Sequence, residues 1–297
     1  MKRLILLTAT CAFFANASAQ KDSTYNPKNN DTIRVGNILI IKKGGKNQTD
    51  SSLDKKGTTV TMGRKNSDNQ NAKVTTNWFI VDLGFANYDD QTNYANAGSY
   101  LVNKPGSPAF SKNDFKLSTG KSFNVNVWLF MQRLNIIKRN VSLKYGLGVE
   151  LNNYRYKSAL SYKENGTIPY SGGLQTNAAF IFRDSIGFSK NKLAADYLTV
   201  PLMLTLATNH ASSKKGFSVS GGVSAGYLYS QRNKQKSTER GKQRNKGEYD
   251  LEKFKLSYIG ELGIGPVKLY GSYTPKSIYE HSLDIRPFTL GFRFSNL

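Results

Sequence analysis

Leu198-Thr199-Val200-Pro201-Leu202-Met203-Leu204-Thr205-Leu206-Ala207 sets leucine or valine at every second position, with threonine, proline, methionine and alanine between them. Period two is the strand period, because successive side chains of a strand point to opposite faces. The texture begins at Trp78 and recurs to the end of the chain. In 79–86, Phe79, Val81, Leu83 and Phe85 oppose Ile80, Asp82, Gly84 and Ala86. In 123–132, Phe123, Val125, Val127, Leu129 and Met131 alternate with Asn124, Asn126, Trp128, Phe130 and Gln132. Segments 141–152, 217–229, 254–264, 267–273 and 288–294 read the same way, which predicts eight strands.

The second face of these segments is mostly small or polar and carries Lys144, Glu150, Glu261 and Arg293. A soluble sandwich would bury the apolar face and would have to manage its edges. A transmembrane barrel inverts the assignment, with apolar faces toward lipid and polar faces toward the lumen. Closure also removes the unpaired edge, which costs several kcal/mol per backbone group in hydrocarbon. The connectors alternate in length: 88–121, 157–190, 231–252 and 275–286 are long, whereas 134–140, 208–215 and 265–266 are short. Short turns face the periplasm in this class and long loops face outward, so both chain termini are expected on the periplasmic side. A ten-stranded variant follows if 177–182 also pairs within the membrane.

The compartment reading comes from the first twenty residues. Lys2 and Arg3 precede an apolar run from Leu4 to Phe14, and Ala17-Ser18-Ala19 ends it, the pattern of a secretory signal peptide cleaved after Ala19. The sole cysteine, Cys11, lies within it, so the exported chain would carry no disulfide and no thiolate metal site. No later run approaches the length of a membrane-spanning helix. Residues 20–75 are rich in Asn, Lys, Asp, Ser, Thr and Gly around one β-like island, 33–41, and read as a mostly flexible periplasmic arm. The expected organisation is a signal peptide 1–19, an arm 20–75 and an all-β, eight-stranded antiparallel outer-membrane β-barrel 76–297. The net charge of +22, less Lys2 and Arg3 of the signal peptide, then belongs to an exported envelope protein, which argues against a nucleic-acid role.

From Trp78 onward the chain resembles the PorT-like small outer-membrane β-barrel proteins. The residues that carry the resemblance are Ser189-Lys190-Asn191-Lys192-Leu193 leading into 197–202, the glycine-rich 221–227, and Pro287-Phe288-Thr289-Leu290-Gly291-Phe292. It implies an integral outer-membrane protein inserted by the barrel-assembly machinery, which typically reads an aromatic-rich last strand; Phe292 and Phe294 fit that pattern. Some relatives assist protein secretion and gliding.

Several motifs invite chemistry. Gly222-Val223-Ser224-Ala225-Gly226 matches G-x-S-x-G, but that elbow needs a sharp strand-to-helix turn and here the alternation runs straight through. Gly120-Lys121-Ser122 lacks the upstream glycine of a phosphate-binding loop, since position 115 is Phe115. His210-Ala211-Ser212 falls in a periplasmic turn, and His281 stands beside Glu280 and Ser282 without a set geometry. Two histidines and no exported cysteine argue against a metal site. The expectation is a non-enzyme with no catalytic residues and no cofactor.

The loop between Arg232 and Glu248 is strongly basic: Arg232, Lys234, Lys236, Arg240, Lys242, Arg244 and Lys246 against Glu239 and Glu248. On the outer face it would meet lipopolysaccharide phosphates through charge-assisted hydrogen bonds. It has no interleaved aromatics, which single-stranded nucleic acid would want as stacking platforms. An eight-stranded interior is just wide enough for side chains to fill, so Lys144, Glu150, Glu261 and Arg293 are expected to form a paired network. Asp196, on the lipid-side parity, is expected at the outer end of its strand. Tyr88, Tyr154, Tyr156, Tyr227 and Tyr229 are expected as a belt at the lipid–water boundary. The function read from these residues is a structural or interaction barrel. Its partners would be outer-membrane lipid, lipopolysaccharide and possible envelope proteins. The alternatives are a narrow solute channel and a lipid-modifying enzyme.

Overall fold

The computed structural model describes residues 31–35, 38–42, 59–62, 73–137, 140–208, 216–264 and 267–294. The signal peptide with Cys11, most of the arm, the turn holding His210 and the last three residues lie outside the described residues. Within the N-terminal unit, Asp31–Val35, Ile38–Lys42 and Thr59–Met62 form a three-stranded antiparallel sheet. The island at 33–41 is therefore a hairpin rather than one strand, with Val35 opposite Ile38 across Gly36-Asn37, and a third strand joins it.

The second unit is the barrel. Its ring strands are β1 (Val74–Asp90), β2 (Phe123–Ile137), β3 (Val141–Arg155), β4 (Lys190–Thr208), β5 (Phe217–Ser237), β6 (Phe254–Ile264), β7 (Val267–Tyr273) and β8 (Ile285–Phe294). Each pairs antiparallel with the next, and β8 returns to β1 through Phe292↔Leu83 and Leu290↔Phe85, closing the ring. Closure leaves no ring edge to satisfy in hydrocarbon. The alternating faces are inverted relative to a soluble protein: Leu204 and Phe292 are 47% and 49% exposed, while Asp82 and Glu261 are 0% and 2% exposed. Proline has no N–H to donate, and Pro201 sits where the β3–β4 ladder is interrupted between Thr199↔Gly148 and Leu202↔Tyr145.

Register shifts at Trp128/Phe130 and Asp196/Tyr197 redirect side chains along the ring strands. In β2, Trp128 faces Gly148 and Phe130 faces Leu147, so Leu129 is an extra residue and the alternation flips beyond it. Met131 is consequently buried in the lumen and Phe130 packs against Trp78 with ring centroids 6.0 Å apart. The strict period predicts the opposite face for both, with Met131 toward lipid and Phe130 inside. A second shift places Tyr197 opposite Leu228 and Asp196 opposite Ser230, with Tyr229 the extra residue.

Beyond the ring, the long loops fold into a cap. Phe180–Arg183 pairs antiparallel with Leu160–Lys163 and parallel with Leu101–Val102. It does not enter the ring, which overturns the ten-stranded alternative. The segment is four residues long, and a transmembrane strand needs about 9–11. One apolar cluster joins the four long loops to the strand ends, including Tyr100, Phe110, Phe115, Tyr162, Ile181, Tyr249, Tyr279 and Leu283. Tyr154 and Tyr156 belong to this cluster, and Tyr88 packs against it. The expected aromatic belt is thereby reduced to Tyr227 and Tyr229, which do face outward. Parity explains the difference: Tyr154 and Tyr156 continue the series of Glu150 and Asn152, whose side chains point inside.

Candidate functional site: a packed lumen and a basic sheet face

The lumen is filled by side chains from every ring strand. Arg293 on β8 donates from Nε and Nη2 to Asp82 on β1 at 2.7 and 2.8 Å, and from Nη1 to Glu261 on β6 at 2.6 Å. Lys144 on β3 donates to the other Glu261 oxygen at 2.7 Å and to Ser220 at 3.2 Å. Lys268 on β7 stands 3.8 Å from the same oxygen. Asp82 also accepts from Trp128 Nε1 at 2.7 Å and from Asn126 at 3.2 Å, and the Arg293 guanidinium lies 5.5 Å from the Trp128 ring centroid.

Toward the cap a second cluster forms. Glu150 accepts from Lys255 and from Asn152 at 3.0 Å, and the Lys255 ammonium sits 4.4 Å over the Tyr197 ring. The four lumen charges read from the sequence thus divide between two clusters: Lys144, Glu261 and Arg293 meet, while Glu150 pairs elsewhere. Asp82, Lys255 and Lys268 were missed as members. Their positions on the polar parity of their strands were the available signal. Tyr270 donates to Asn124, which in turn donates to Asn126 and Asn152, so the polar filling is continuous between the clusters. Glycines make the space for the large rings. A Cβ on Gly148 would lie 2.6 Å from Trp128 Cε3, and one on Gly84 would lie 2.6 Å from the Tyr270 hydroxyl. Small voids of about 20 and 30 Å³ lie against Arg293 in the lumen, room for roughly a water each.

The basic segment is no loose loop. It is the end of β5 folded back on Gly241–Lys246, with Arg232↔Lys246, Lys234↔Arg244 and Lys236↔Lys242 in register. Cross-strand partners share a face, so these six cations lie on one side of the ribbon. Asn233, Gln235 and Ser237 lie on the other and are buried. The buried side docks on the cap: Gln235 donates to Ser161 at 2.8 Å and to the Leu160 carbonyl at 3.1 Å. Arg240 leaves the set, since it sits at the ribbon's turn and donates to Asp184 at 2.7 Å. Asp196 is buried on the outward parity and is bound by Arg232.

The remaining motifs have plain placements. Ser224 is buried in mid-strand β5. Ser122 accepts the Arg155 backbone N–H at 2.9 Å. His281 Nδ1 lies 2.7 Å from an Asp250 oxygen, and together with Glu280 these form the one group of three candidate metal ligands among the described residues. The hydrogen bond and charge of Asp250 raise the His281 imidazole above its ordinary value.

A hydrogen-bonded ring of eight antiparallel strands, aliphatic outside and ion-paired within, defines a β-barrel built for lipid. The family model described as outer membrane protein beta-barrel domain matches residues 43–295, and the chain belongs to that family; it is an outer-membrane protein. No curated protein matches the chain.

Proposed function

We propose that this protein is a sealed, non-enzymatic barrel that acts through its outer surface, where the cap and basic ribbon contact surface anions or envelope partners. The observation that carries this reading is the three-strand junction of Asp82, Arg293 and Glu261 across the lumen, beneath an apolar cap and beside voids of about 20 and 30 Å³ that Arg293 helps to line. Solutes need a continuous wet path, and buried ion pairs fill the place where one would run. Planar-bilayer recording tests it: the barrel inserts without discrete conductance steps, whereas reproducible steps of constant size would refute sealing in favour of the narrow channel.

The resemblance to PorT-like barrels supports the finer family assignment and an envelope protein as a partner for the N-terminal segment. Export by the signal peptide and insertion by the barrel-assembly machinery complete the proposal. The hydrogen-bonded His281–Asp250 pair is the observation favouring the lipid-modifying alternative. An unchanged lipid A acylation profile on His281→Ala removes it.

A further inference from the structure

The outward side of the basic ribbon does not stop at the ribbon. Register carries it across four strands. Arg155 on β3 faces Lys192 on β4, Lys192 faces Lys234 on β5, and Lys234 faces Arg244. The row above is Lys190, Lys236 and Lys242, and the row below is Ala194, Arg232 and Lys246. Nine cations therefore occupy one sheet face, on strands about 4.8 Å apart. Asp196 is the one acid that these strands place on it among the described residues, and Arg232 already binds it. Arg155, Lys190 and Lys192 escape notice in the sequence because they are 40 or more positions away from the run at 232–246.

The position of this face decides what it fits. It is the same outward side of the sheet that turns Leu198, Leu202 and Leu204 toward lipid one stretch further along β4. Phe123 pairs with Asn153 at its lower border, and the Lys192 ammonium lies 5.0 Å over the Phe123 ring and 2.6 Å from Asn153 Oδ1. Exposed Tyr227 and Tyr229 continue that border on β5. A ligand matching both halves has phosphates at the height of the cations and acyl chains running down the barrel wall. A soluble polyanion would satisfy only the upper half.

We infer that this four-strand face is a binding site for a bis-phosphorylated glycolipid of the outer leaflet, its phosphates held by the Arg155–Lys192–Lys234–Arg244 row and its acyl chains against the barrel below. The inference rests on the surface-anion part of the function proposed above and assigns that contact a place and a ligand class. Crowding points to a missing counter-charge: Lys192 stands between Arg155 and Lys234 in register, with Lys190 two residues away on its own strand.

The test uses the full-length protein folded in detergent, titrated with bis-phosphorylated lipid A and read by native mass spectrometry. The expected result is retention of the lipid, weakened roughly tenfold or more by Lys192→Gln/Lys234→Gln/Arg244→Gln. Lys104→Gln/Lys112→Gln/Lys116→Gln removes the same charge from the first outer loop and is expected to leave affinity within about twofold. Lys234→Gln/Arg244→Gln spares buried Lys192 and serves if the triple variant fails to fold. Equal weakening by the control set, equal binding of dephosphorylated lipid A, or equally tight binding of dextran sulfate would each overturn the lipid assignment. The last outcome would leave surface-anion contact standing, and conductance steps would sink the sealed lumen without touching this site.

Discussion

Replacing Arg293 with methionine probes the lumen most directly. The change removes two hydrogen bonds to Asp82 and one to Glu261 and leaves both carboxylates buried in the lumen. Asp82 keeps only neutral donors, Trp128 and Asn126, whereas Glu261 keeps Lys144. Removing one partner of a buried pair typically costs about 3–5 kcal/mol, and Asp82 is the carboxylate that bears it. Asp82→Asn in the same chain removes the stranded charge, so the double variant is expected to cost less than the sum of the singles by about 2 kcal/mol. The assay is urea unfolding of barrels folded into vesicles, followed by Trp128 emission. Trp128 is 5% exposed beside Arg293 while Trp78 is 59% exposed on the outside, so a Trp78→Phe background isolates the lumen signal. A cost for Arg293→Met below about 1 kcal/mol, or strict additivity of the two changes, would mean that water solvates Asp82. The packed-lumen reasoning would then fail.

Gly148→Ala drives a methyl into Trp128 Cε3 and the Val127 carbonyl; it is expected to cost about 1–3 kcal/mol and to shift Trp128 emission, while Gly241→Ala, at a turn with open space, leaves that emission unchanged. Tyr279→Phe deletes the hydroxyl contact to Tyr162 at 2.9 Å in the cap. A loss of about 1 kcal/mol should show as faster protease cutting of the outer loops with the ring intact. The His281 imidazole, watched by NMR, should titrate above the ordinary 6.5 because Asp250 stabilises its protonated form. Stabilisation by that contact is then present below the ordinary value and lost as pH rises through the elevated one. Asp250→Asn should return the titration to the ordinary range.

Much of the barrel was legible because lipid imposes a strict rule on each strand. One side chain in two meets acyl chains, so Leu198 to Leu206 and Phe288 to Phe294 announce both their period and their outward face. The ribbon obeyed the same period, with Arg232, Lys234 and Lys236 and then Lys242, Arg244 and Lys246 at every second position. It was read as a loop because cations rather than leucines marked the repeat. The cap was illegible for a different reason. Tyr100, Phe115, Tyr162, Ile181, Tyr249 and Tyr279 come singly from separate polar loops, and a cluster gathered from single residues has no period to detect. Leu129 and Tyr229 show the remaining gap: an extra residue in one strand is visible only against its partner's register, and it reverses every side chain beyond.

The amino-acid sequence by itself determined the strand period, the number of ring strands and which face meets lipid, because those follow from neighbours two residues apart. Only the tertiary structure decided that Arg293 closes onto Asp82 from 211 positions away, that the loops fold into an apolar cap, and that Lys192 joins Lys234 and Arg244 in one basic row. Those pairings depend on which strands lie side by side and in what register, and ring closure sets both.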